Sequence, residues 1–111
     1  MNDSFKTINA PIEDAIFKEL GSKFINYAYP VDSEDDVDFY LNQLYEKWPD
    51  ATHHCYAYAI GIDGKIFRAN DDGEPSGTAG VPILNILRGE KIENVLVVVT
   101  RYFGGILLGT G

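Results

Sequence analysis

Alternation of period two marks the first third of the chain. Residues 14–20 place Ile16, Lys18 and Leu20 on one face and Ala15, Phe17 and Glu19 on the other. Residues 23–29 alternate again through Phe24, Asn26 and Ala28. The Gly21-Ser22 pair between the two runs predicts a β-hairpin with a tight turn, closed off by Pro30. Residues 5–8 read as a further short strand, halted by Pro11.

The period then changes. Val37, Tyr40, Leu41, Leu44 and Trp48 recur at helical spacing, so a helix is predicted with Ser33 as its N-cap, Glu34, Asp35 and Asp36 in its first turn and Pro49 as its stop. Alternation returns over residues 53–60, and Asp63-Gly64 turns it into a short partner strand over 65–68. A polar, glycine-rich loop follows. A second helix is predicted from about residue 78 to 88, burying Ala79, Ile83, Leu84 and Leu87, with Gly89 as its C-cap. The run Val95-Leu96-Val97-Val98-Val99-Thr100 is apolar on both faces and predicts a central strand.

At 111 residues the chain reads as one domain, long enough to bury a core without staples. No apolar run reaches the roughly 20 residues of a membrane helix, and Met1-Asn2-Asp3-Ser4 opens no secretory signal, so no membrane partner is expected. The single cysteine, Cys55, forms no internal disulfide and suits a reducing cytoplasm. The net charge of −8 argues against non-specific nucleic-acid binding, and no DNA partner is expected.

Two glycine-rich loops carry the candidate chemistry. Asp71-Asp72-Gly73-Glu74-Pro75-Ser76-Gly77-Thr78-Ala79-Gly80 sets three carboxylates just before a helix start rich in small residues. Exposed amides and a helix N-terminus favour an anion there, while the carboxylates would accept a phosphate only through Mg²⁺ or a nearby Arg. Arg101, leaving the buried strand, offers a planar fork for a phosphate or carboxylate, and Tyr102 or Phe103 could stack on a base. Equally, Arg101 could pair internally with Asp72 or Glu74 and organise both loops. In Thr52-His53-His54-Cys55, His53 and Cys55 share a face. With no second cysteine for zinc and no readable third group for a Cys–His nucleophile, Cys55 reads as a small buried residue and His53 as the site residue.

The stretches Asp50-Ala51-Thr52-His53, residues 71–80, and Val98-Val99-Thr100-Arg101-Tyr102-Phe103-Gly104-Gly105 with Leu108-Gly109 together closely resemble the IMPACT/YigZ family, as does Ser22-Lys23-Phe24-Ile25-Asn26-Tyr27-Ala28. The resemblance implies an α+β fold like the second domain of small-subunit ribosomal protein five and RNase PH. In that fold helices pack on one face of a mixed sheet, with an unusual left-handed crossover. It also implies that the chain is the N-terminal, IMPACT-type domain, lacking its last helix and a following ferredoxin-like domain. Eukaryotic members look like translation regulators that associate with ribosomes and with a regulatory protein, whereas the bacterial branch carries no settled activity.

The expectation is therefore a cytoplasmic, translation-associated module that contacts RNA or a ribosomal surface and needs no cofactor. Its expected site comprises His53, Asp71, Asp72, Glu74, Ser76, Gly77, Thr78, Gly80, Arg101, Tyr102, Phe103, Gly104 and Gly105. The alternatives are a metal-dependent enzyme acting on a phosphorylated substrate, with Mg²⁺ on Asp71, Asp72 and Glu74 and His53 as acid or base, and a protein-interaction adaptor.

Overall fold

A computed structural model describes residues 5–103. The alternating runs pair as a hairpin, β1 (Ile12–Glu19) and β2 (Ser22–Pro30). Its turn is Leu20-Gly21, one place earlier than the sequence suggests, and both residues take positive φ, 52° and 80°. That is the twist a two-residue hairpin needs, and Gly21 supplies it without strain. Helix α1 (Glu34–Lys47) starts where expected, with the Ser33 hydroxyl accepting the Asp36 N–H. Strands β3 (His53–Ile60) and β4 (Ile66–Asn70) follow, then α2 (Gly80–Gly89) and β5 (Val95–Tyr102). Gly89 is the last helical residue and Glu90 the cap. Residues 5–8 contribute only a single bridge, Lys6 to Ile92, because Pro11 and a short apolar run leave no ladder to extend.

The strand order is β1-β2-β5-β3-β4, with β5 central. Every strand pair is antiparallel, so the sheet is not mixed; the one parallel pairing among the described residues is the Lys6–Ile92 bridge. The class is α+β, as expected.

The helices do not share a face. Val37, Leu41 and Leu44 of α1 pack with Tyr27, Tyr29, Tyr58, Leu96 and Val98. Leu84 and Leu87 of α2 pack with Ala57, Ala69, Val95 and Val97, which point the other way. The cause is β5 itself: a strand apolar on both faces needs cover on both. This arrangement has a consequence for chain path. β2 and β3 run parallel to each other across β5, and β4 and β5 run parallel across β3, in opposite directions and with opposite displacements. With α1 and α2 on opposite faces, the two crossovers have opposite hands, and one of them is left-handed.

Candidate functional site

The pairing register builds the site. Phe17 lies opposite Phe24, Phe24 opposite Arg101, and Arg101 opposite His53. Directly paired residues share a face, so these four form one row across β1, β2, β5 and β3 on the side that carries α2. The Arg101 guanidinium donates through Nη1 to both Glu74 oxygens, at 2.8 and 2.7 Å, and through Nη2 to the Ser22 hydroxyl at 3.3 Å. The rings of Phe24 and Phe103 lie 5.8 and 5.4 Å from its central carbon, within cation–π range. Its Nε is buried and has no acceptor among the described residues. Of the two internal partners expected for Arg101, Glu74 is the one it takes.

His53 closes the other end of the row. Its Nδ1 lies 2.6 Å from the Asp72 carbonyl oxygen, which can only accept, so Nδ1 carries the donated proton. Its Nε2 is 3.7 Å from Glu74 Oε1.

Each carboxylate of the 71–80 loop has its own task. Asp71 accepts the N–H groups of Gly77, Ala79 and Gly80 at 2.8, 3.0 and 2.7 Å. Those amides, led by Gly77 and Gly80, hold its carboxyl below the usual carboxylate range. The anion at the start of α2 is thus the protein's own side chain, and the amides of Gly77 and Gly80 are already spoken for. Asp72 accepts the His54 N–H at 2.7 Å, tying the loop to β3. Glu74 answers Arg101. The three carboxylates do not converge on one point, and no group of three His, Cys, Asp or Glu side chains among the described residues is placed to hold a metal ion. Ser76 stays exposed at the loop's tip, and the exposed Thr78 donates its hydroxyl back to the Pro75 carbonyl.

Tyr102 is on the opposite face from Arg101. It is buried, sets its ring edge-on to Trp48, and donates its hydroxyl to Asp50 at 2.8 Å. Burial and then Asp50 push its pKa up to about 12. It is a packing residue, whereas Phe103 is about half exposed and anchored by its N–H to the Thr52 hydroxyl at 2.9 Å. Gly104 and Gly105 lie outside the described residues. Cys55 is buried, donates its S–H to the Asp71 carbonyl, and has its thiol pKa raised to about 12, chiefly by burial, so it is no nucleophile at neutral pH.

Two hollows flank the Arg101–Glu74 pair. One, of about 470 Å³, lies between α2 and β5 and is lined by Phe24, Val99, Ala79 and Ile83. The other, of about 380 Å³, lies toward the hairpin turn and is lined by Phe17, Leu20, Ser22, Phe24, Arg101 and Phe103. Phe17, Ser22 and Phe24 are additions to the expected site. Their alternation is readable in the sequence, but their place beside Arg101 depends on a register between strands far apart along the chain. No described helix is long and apolar enough to cross a membrane.

The family model of the Impact N-terminal domain matches residues 20–111. The chain belongs to the IMPACT family. It is 43% identical over 111 residues to the IMPACT family member YvyE of Bacillus subtilis, covering all of this chain and 51% of that protein. Among solved structures it is similar to a hypothetical protein, with TM-score 0.81 and 38% identity over 92% of this chain and 50% of that one. It is also similar to the two-domain translational regulator Yih1, with TM-score 0.63 and 28% identity over 88% of this chain and 39% of that one. The chain thus spans about half the length of the relatives it matches, or less.

Proposed function

We propose that this IMPACT domain is the binding module of a translation-regulating protein, and that it meets the ribosome through the surface organised by Arg101 and Glu74. The kinship with the translational regulator Yih1 supports the setting. The observation that carries the reading is the construction of the site. Arg101 is clamped by Glu74 between two phenylalanine rings, and all three loop carboxylates are engaged before any ligand arrives. Such a surface is preorganised for contact, and rigid anchors lose little on docking. Covalent catalysis in particular finds no support in these residues, because burial holds Cys55 protonated and His53 Nδ1 is engaged by the loop backbone.

The test is co-sedimentation of the full-length natural protein with ribosomes at low salt. Wild type is expected in the pellet, and Arg101→Lys, which keeps the charge but loses the planar fork, is expected to bind about tenfold more weakly. Absence of wild type from the pellet sinks the reading.

A further inference from the structure

Resting on that reading, we propose that the hollow around Phe17, Phe24 and Phe103 takes one unstacked base of single-stranded RNA. The contact runs through the base and not through its phosphate.

Three observations converge. First, the hollow is walled by rings. Phe17 and Phe24 are neighbours across β1 and β2, with centroids 5.7 Å apart and planes tilted by 42°. Phe103 faces them over the Arg101 guanidinium, and both Phe17 and Phe103 are about half exposed. A sheet face bearing aromatic side chains at an edge is a general platform for splayed-out bases, because every base has a π face. Second, polar groups stand at the same place. The Ser22 hydroxyl and the guanidinium edge lie among the rings, and Arg101 Nε–H still has a hydrogen bond to give. An acceptor on a base edge that reaches the guanidinium from the hollow supplies that partner.

Third, the charges select against phosphate. Glu74 already neutralises Arg101, Asp71 already fills the amides at the start of α2, and Glu19 stands on the rim of the hollow. The net charge of −8 likewise disfavours contact through phosphate, so the strand's own phosphates are expected to lie away from this face. Rings and hydrogen-bonding edges remain as the recognisable feature of the ligand.

The experiment uses the full-length natural protein with its phenylalanine rings labelled for NMR. The probes are uridine and adenosine, which carry no phosphate, and inorganic phosphate alone. The expected result is movement of the Phe17, Phe24 and Phe103 signals with a nucleoside, unchanged between low and physiological salt, and none with phosphate. Phe103→Ala and Phe17→Ala, both at exposed positions and each verified as folded, are expected to weaken nucleoside binding about tenfold each, in the range of one lost base–aromatic stack. Silence of the rings with both nucleosides overturns the inference, as does movement with phosphate alone. Ring signals that move while ribosomes fail to pellet the protein sink the ribosome reading and leave this site standing. Ribosome binding unchanged in both phenylalanine variants, with silent rings, does the reverse.

Discussion

Arg101 and Glu74 stand or fall together. Their side chains keep only 22% and 13% of their exposure, so each is withdrawn from water and depends on the other for solvation. Removing one partner leaves a charge with neither water nor counter-charge, which is costlier than removing both. Glu74→Ala and Arg101→Ala are each expected to destabilise by about 2–3 kcal/mol, and the double variant by no more than the worse single one. Urea unfolding of the four proteins measures this. Additive losses would show that the pair contributes nothing as a pair and that the two loops are held by other contacts. The same residues show what is readable from sequence. That Arg101 leaves a buried strand follows from its position after Val95–Thr100. That Glu74 and not Asp72 reaches it follows from loop geometry, because Asp72 turns back to the His54 amide with a positive φ of 46°.

Elements are legible where a local signal suffices. The α1 stripe, its Ser33 cap and the limits of β3 are all written in a few adjacent residues. The start of α2 is not, and it begins at Gly80, two places later than its composition suggests, because the 71–80 loop packs against β4. A Cβ on Gly80 would lie 2.6, 2.8 and 2.9 Å from the backbone N, O and C of Asn70, atoms that cannot swing aside. Gly77 differs in kind, with φ of +77° but no atom within 4 Å of where a Cβ would stand. Gly80→Ala is therefore expected to lose more than about 2 kcal/mol through a forced separation of loop and strand. Gly77→Ala should lose only about 1 kcal/mol, from the left-handed backbone alone. Equal losses in denaturant unfolding would show that the α2–β4 contact yields freely. The side of the sheet on which each helix lies is also beyond local signals, although β5, apolar on both faces, already demands cover on both.

At the scale of the whole molecule, one buried side chain joins the α1 layer to the sheet. His54 Nε2 lies 3.1 Å from the Trp48 carbonyl just beyond α1, so this nitrogen donates, and Nδ1 accepts from the Thr100 hydroxyl of β5 at 3.0 Å. Tyr45 of α1 sets its ring edge against the imidazole at 4.9 Å, and the Asp72 carboxylate is the charge that acts on it. Burial lowers the His54 pKa, and the Trp48 carbonyl and Asp72 offset this only in part. The unfolded chain takes up a proton near pH 6.5 that the folded chain still refuses. Stability from this neutral clasp is complete above about pH 6.5 and declines as pH falls below it, at no more than about 1.4 kcal/mol per pH unit, until the folded-state pKa is reached. Urea unfolding of wild type and His54→Gln between pH 8 and 5 separates this proton from all others, since the glutamine keeps a donor and an acceptor but does not titrate. Wild type is expected to lose its advantage over the variant progressively below pH 6.5. Parallel pH profiles for the two proteins would mean that the imidazole charges in place, without cost to the fold.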